Sequence, residues 1–204
     1  MNNSILYEVH NGIYVNLTNR CPCACKFCLR QNGPEIFGSG DLWLEREPTA
    51  AEVIASLDGW DYTQFREVVF CGYGEPTERL DVLLEAAAHL KAKDPTLTIR
   101  VNTNGLADLI WNRDTSGEFV GKVDVLSISL NTDDPKEYLE VCRPKFGAAA
   151  YPAMLDFARH AAQKGVKTVM TVVDEPVTTK AQQERCRQLC ASLGATLRVR
   201  PYEG

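Results

Sequence analysis

No stretch of this 204-residue chain approaches the roughly 20 consecutive apolar residues that a membrane-spanning helix needs. The opening segment, Met1 to His10, is too polar for a secretory signal. Histidine is scarce and scattered, at positions 10, 89 and 160, so no His pair is available to a metal. An excess of basic residues is also missing: 22 Lys and Arg stand against 27 Asp and Glu, a net charge of −5 that disfavours nucleic acid as a partner. There is no internal repeat, low-complexity tract or linker, and the reading is a single domain over residues 1–204. These absences point to a cytoplasmic protein without membrane association. In a reducing compartment eight cysteines do not read as a disulfide framework, and a tight cysteine cluster reads as metal-binding.

Apolar patterning predicts alternating strands and helices. Strands are expected at Ile13–Thr18, Glu67–Cys71, Leu97–Thr103, Val123–Leu130, Val166–Val173 and Thr196–Arg200. Thr49 and Glu52 form a capping-box pattern that opens a helix to about Leu57. Further helices are expected at Arg79–Lys93, Leu106–Trp111, Tyr151–Gln163 and Thr179–Leu193. The segment from Gln31 to Glu47 has little periodicity. Alternation of this kind implies an α/β fold with parallel strands and right-handed crossovers. Six βα units fall short of the eight of a closed barrel, so a partial (βα)6 TIM-type barrel is expected, with ligands at the carboxyl ends of its strands.

Directly after the first of these strands the chain reads Asn19-Arg20-Cys21-Pro22-Cys23-Ala24-Cys25-Lys26-Phe27-Cys28. Thiolates select zinc, copper(I) or iron–sulfur clusters. A structural zinc site draws on two separated ligand pairs, and a second CxxC is missing here. Four ligands from eight residues would wrap one cluster under strain. Cluster sites with four cysteines commonly take the fourth from a remote point in the chain. A three-ligand set with C-x3-C-x2-C spacing leaves one iron open and makes Cys23 the spare.

Cys21, Cys25 and Cys28, with Phe27 before the last of them, resemble the signature of the radical SAM superfamily. The resemblance extends to Cys71-Gly72-Tyr73-Gly74-Glu75-Pro76 after the second strand, where that superfamily often has Gly-Gly-Glu-Pro. It extends also to Thr103-Asn104-Gly105 after the third strand and to Ser127, Ser129 and Asn131 at the end of the fourth. It implies that Cys21, Cys25 and Cys28 ligate a [4Fe–4S] cluster, oxygen-sensitive and reduced by a flavodoxin or ferredoxin. The open iron would then chelate S-adenosylmethionine (SAM), whose reductive cleavage yields a 5′-deoxyadenosyl radical that abstracts hydrogen from a peptide, a protein or a small molecule. By the same resemblance Phe27, Gly72, Tyr73, Gly74, Glu75, Asn104, Ser129, Asn131 and Arg143 are candidate SAM contacts. Glu75 is the acceptor for the amino group, and Ser129 and Asn131 serve the ribose or carboxylate. Arg143, just beyond the fourth strand, is a candidate for the carboxylate, with a solvated surface role as the alternative. Cys71 and Cys142 adjoin these motifs and are candidate hydrogen-atom donors, with packing as the alternative.

Leu17–Pro22, Val69–Pro76, Cys142–Pro144, Val172–Asp174 and Leu197–Tyr202 resemble a narrower group, the TatD-associated radical SAM proteins, which implies association with a TatD-type nuclease. The competing reading is an iron–sulfur electron carrier or a zinc-stabilised binding module without SAM chemistry. An electron carrier would not need the Gly74-Glu75-Pro76 turn or the polar end of the fourth strand. Cys186 and Cys190, four apart on one helix face, read as buried packing residues.

Overall fold

A computed structural model describes residues 4–35, 38–61 and 64–202. The chain divides into two compact units, the first made of Met1–Cys21, Phe27–Asn102 and Gly121–Asp124 and the second of Pro22–Lys26, Thr103–Val120 and Val125–Gly204.

The first unit opens with a hairpin that the sequence reading did not include. β1 (Leu6–Val9) pairs antiparallel with β2 (Gly12–Val15), and the chain turns through His10 at φ +52°. β3 (Glu67–Phe70) lies parallel to β2, and β4 (Thr98–Thr103) parallel to β3. α1 (Ala50–Asp58) begins with the expected capping box. Thr49 Oγ1 accepts from Glu52 N, and the Glu52 carboxylate accepts from Thr49 N. α2 (Leu80–Lys93) buries Leu80, Leu83, Ala87 and Leu90 at helical spacing and ends at Asp94, before Pro95. Full burial of each leucine contributes about 2 kcal/mol.

The segment after Gln31 owes its order to two asparagines rather than to a pattern of its own. Asn16 Nδ2 donates to Leu42 O at 2.8 Å, and Asn19 exchanges hydrogen bonds with the Leu44 backbone at 2.8 and 3.1 Å. Residues 36 and 37 of this segment lie outside the described residues.

In the second unit β5 (Val125–Ser129), β6 (Lys167–Val173) and β7 (Thr196–Arg200) pair in parallel. Helices α3 (Ala107–Trp111), α5 (Ala150–Gln163) and α6 (Lys180–Ser192) follow the expected spans closely. α6 carries a second capping box, from Thr179 to Gln182. α5 packs Met154, Phe157 and Ala161 inward, with Phe157 edge-on to Phe119 at 5.9 Å.

One helix is new. α4 (Pro135–Cys142) starts at Asp134, whose carboxylate accepts from Lys136 N and Glu137 N, and it ends at Arg143 with φ +46°. Three strand ends are corrected. β2 stops at Val15 rather than Thr18, β3 at Phe70 rather than Cys71, and β5 at Ser129 rather than Leu130. Asn131 follows in the left-handed region at φ +65°, so strand alternation with Ser127 and Ser129 does not extend to it. Among the described residues no helix is long and apolar enough to cross a membrane.

Candidate functional site

The cysteine run is not uniform. Cys23 is buried, 5% exposed, while Cys21, Cys25 and Cys28 are partly exposed. Cys21 and Cys28 belong to the first unit and Cys23 and Cys25 to the second.

Within the second unit, Pro22–Lys26 hangs on the end of α4. A helix leaves its last carbonyls without intrahelical partners. Here Ala24 N donates to Cys142 O at 3.0 Å and Lys26 N to Val141 O at 2.9 Å. Lys145 N donates to Pro22 O at 2.8 Å, and Cys23 forms an antiparallel bridge with Pro144. Cys25 Sγ sits 3.7 Å from Cys142 O. The Cys142-Arg143-Pro144 segment is therefore the strut of this loop, with the Arg143 side chain exposed beside it. Sequence reasoning missed this because it missed α4. The signal was present: Asp134-Pro135 is an N-cap residue followed by proline at the first helical position.

Asparagine amides at two strand ends meet two of the cysteines. Asn104, just after β4, places Nδ2 3.8 Å from Cys23 Sγ while its Oδ1 accepts from Leu106 N at 3.0 Å. Asn131, just after β5, donates from Nδ2 to Cys142 Sγ at 3.2 Å. Asn131 is 6% exposed, and its Oδ1 is buried without a hydrogen-bond partner. An unmet buried acceptor costs about 1–3 kcal/mol, so this oxygen is poised for a donor. Ser129 is partly exposed. Gly105, at φ +76°, is required where it stands: a β-carbon there would meet Ile128 at 2.8 Å and Met154 at 2.9 Å.

Within the first unit, the turn after β3 packs on the chain that leads into Cys21. A β-carbon on Gly74 would lie 2.2 Å from Thr18 O and 2.6 Å from Arg20 O, and one on Gly72 would lie 2.1 Å from Asn16 Oδ1. Glu75 N donates to Arg20 O at 2.8 Å. The Glu75 carboxylate is 4% exposed, and its Oε1 accepts from Thr77 N at 3.1 Å and Thr77 Oγ1 at 2.8 Å. This carboxylate thereby caps a short 3-10 turn, Pro76–Arg79. Tyr73 is buried, edge-on to Trp43, and its hydroxyl donates to Gly33 O at 2.6 Å. Burial raises its pKa, which keeps it a neutral donor. Phe27 and Cys71 are partly exposed, and Tyr7 Oη donates to Cys71 O at 3.1 Å. Arg20, a possible source of positive charge near the cysteines, is paired with Glu47 at 2.6 Å and Glu78 at 3.4 Å.

Cys186 and Cys190 are fully buried in α6, as expected for packing residues. Burial raises their pKa values to about 11 and about 12. A further grouping of Asp108, Asp114 and His160 is internally engaged. Asp108 accepts from Thr115, and Lys164 Nζ lies 2.6 Å from Asp114 Oδ2.

The family model described as the radical SAM superfamily matches residues 15–188. A GTP 3′,8-cyclase of Limosilactobacillus fermentum is 27% identical over 138 residues, which make up 67% of this chain and 39% of that protein. The GTP 3′,8-cyclase of Corynebacterium glutamicum is 29% identical over 197 residues, 94% of this chain and 48% of that protein. The chain thus spans less than half the length of these curated relatives. Among solved structures, Streptococcus suis SuiB bound to its precursor peptide SuiA superposes with a TM-score of 0.71 at 17% identity, covering 98% of this chain and 41% of that one. A radical SAM methyltransferase from Sphaerobacter thermophilus gives 0.66 at 19% identity, covering 95% and 57%. Likeness at these identities shows the fold, an α/β architecture whose strands are mostly parallel.

Proposed function

Because the chain belongs to the radical SAM superfamily, we propose that Cys21, Cys25 and Cys28 ligate a [4Fe–4S] cluster whose open iron takes SAM. The observation that carries this reading is the different treatment of the four cysteines. Cys23 is buried beside the Asn104 amide, and the three with C-x3-C-x2-C spacing are partly exposed and chemically suited as soft ligands. When bound, the reduced cluster and SAM supply a 5′-deoxyadenosyl radical for hydrogen abstraction.

This chain's own residues bind and orient. The buried Glu75 carboxylate has an Oε1 already oriented by Thr77, and it is the acceptor for the SAM ammonium. Asn131 Oδ1, lacking a donor, fits a ribose hydroxyl, and Ser129 and Asn104 are the further polar candidates from the strand ends. Arg143, exposed at the end of α4, is the cation for the carboxylate. The backbone of Gly72, Tyr73 and Gly74 and the ring of Phe27 complete the contact set. Residues 1–204 are read as one radical SAM domain. A flavodoxin or ferredoxin is its reductant, and the TatD-associated proteins are the subgroup its motifs resemble, with a TatD-type nuclease as associated partner.

For the substrate, a nucleotide-derived small molecule is favoured over a peptide, because the sequence relatives are GTP 3′,8-cyclases. A cytoplasmic location follows from the need to keep such a cluster reduced.

Single Cys→Ala variants at positions 21, 23, 25 and 28, reconstituted anaerobically, test the ligand set through iron and sulfide content. C23A is expected to load as the parent chain does, and the other three to lose the cluster. Loss in C23A together with full loading of any of the others would overturn the assignment.

A further inference from the structure

Two residues eleven apart in the chain, Asn131 at the end of β5 and Cys142 at the end of α4, are joined by one hydrogen bond. Asn131 Nδ2 donates to Cys142 Sγ at 3.2 Å. Both are buried, at 6% and 1% exposure. Three features make the contact more than packing.

The first is the direction in which it turns the asparagine. With Nδ2 committed to sulfur, the other end of the planar amide is fixed, and that end, Oδ1, is the buried acceptor without a partner. Without the thiol the amide is free to rotate and to present Nδ2 where Oδ1 now stands. The second is the backbone beneath it. Asn131 sits at φ +65°, a region that asparagine tolerates better than most residues, and its N–H is tied to Thr171 O at 3.1 Å. Strain of this kind persists where surrounding structure over-determines a position. The third is what else Cys142 holds. Its carbonyl accepts from Ala24 N at 3.0 Å and lies 3.7 Å from Cys25 Sγ. One residue thus fixes the orientation of a strand-end amide through its side chain and the cysteine loop through its main chain.

We propose that Cys142 is a positioning residue. Its thiol sulfur sets the Asn131 amide so that Oδ1 faces bound SAM as an acceptor, and its carbonyl anchors the loop that carries Cys25. This rests on the reading that SAM binds at the end of β5. It assigns Cys142 neither as a cluster ligand nor as a hydrogen-atom donor. A hydroxyl at this position can still accept from Nδ2, whereas a methyl group cannot.

The test compares the reconstituted full-length chain with C142S, C142A, N131A and the double variant N131A/C142A. It reads iron per chain and the dissociation constant for SAM measured anaerobically by calorimetry. Iron content is expected to be unchanged in all four. SAM binding in C142S is expected within about twofold of the parent chain. C142A and N131A each bind about tenfold more weakly, the worth of one buried hydrogen bond, and the double variant binds no more weakly than N131A. Should C142A fail to fold, C142V fills the volume without an acceptor and takes its place.

C142A binding SAM as tightly as the parent chain would overturn the role of Cys142. So would C142S as weak as C142A, or full additivity in the double variant. Loss of iron in C142A or C142S would overturn it in favour of a ligand. Failure of the iron-loaded parent chain to bind SAM would instead overturn the underlying reading of the site.

Discussion

Gly74 stands where no other residue fits: a β-carbon built on it would lie 2.2 Å from the carbonyl oxygen of Thr18. The obstacle is main chain, and the same stretch runs on into Cys21, so the turn bearing Glu75 and the approach to the cysteines are packed as one piece. At Gly72 the obstacle is the Asn16 side chain, at 2.1 Å from Oδ1. Gly74→Ala is therefore expected to cost about 3 kcal/mol, at the upper end of overpacking effects. Gly72→Ala should cost less, and almost nothing further in an Asn16→Ala background. Denaturant titrations of the three variants and the double variant check this. Equal costs at the two glycines would contradict it.

A single substitution separates the capping role of Glu75 from its proposed SAM contact. Its Oε1 caps the Pro76–Arg79 turn, and glutamine keeps an acceptor there. Glu75→Gln is expected to melt within about 2 °C of the parent chain and to weaken SAM binding about tenfold or more by removing the charge. A stable variant with undiminished affinity would remove Glu75 from the site.

Much of this architecture was legible before any coordinates, and the exceptions have physical reasons. The capping box of Thr49 with Glu52 is a local pattern that tertiary packing left intact, and the one of Thr179 with Gln182, not singled out in the sequence, is of the same kind. All six expected strands are present: β3, β5 and β6 as largely apolar buried runs, and β7 as an alternating one without a buried residue. β1 escaped notice because Leu6–Val9 is four residues long and interrupted by Glu8, and only its pairing with β2 makes it a strand. α4 escaped because it is only eight residues long and three of them are charged, although the Asp134-Pro135 start was readable. In the site, the spacing singled out Cys21, Cys25 and Cys28. No sequence rule reports that Cys142 and Asn131 touch, since that contact depends on the tertiary placement of the end of α4 in the second unit.

The dependence of the cysteine loop on α4 gives a separate expectation. Asp134→Ala removes the carboxylate that accepts from Lys136 N at 2.7 Å and Glu137 N at 3.0 Å, a cap worth about 1 kcal/mol. Thr49→Ala removes a comparable cap from α1, in the first unit. The two variants should lose similar stability, but D134A should give up iron to a mild chelator several-fold faster. The reason is that the α4 carbonyls of Val141 and Cys142 hold the loop through Lys26 N and Ala24 N. Equal rates of iron loss would mean the strut is dispensable.

The buried thiols of α6 set an alkaline limit to stability. Burial raises Cys186 to about 11 and Cys190 to about 12, from an ordinary value near 9. The unfolded chain ionises first, so the folded state binds more protons between these values. The contribution is complete below about pH 9 and is lost as pH rises through 11 to 12. Melting temperature should fall more steeply over this range in the parent chain than in C186A/C190A, although the double variant is less stable at neutral pH. Parallel curves would contradict the assignment.

The central claim, a cluster with an iron open to SAM, is tested most directly by the EPR spectrum of the dithionite-reduced, fully reconstituted chain recorded with and without SAM. SAM addition is expected to change the spectrum, as the proposed binding of SAM to the cluster iron requires. A fully loaded [4Fe–4S] cluster whose spectrum is identical in the two samples would contradict it.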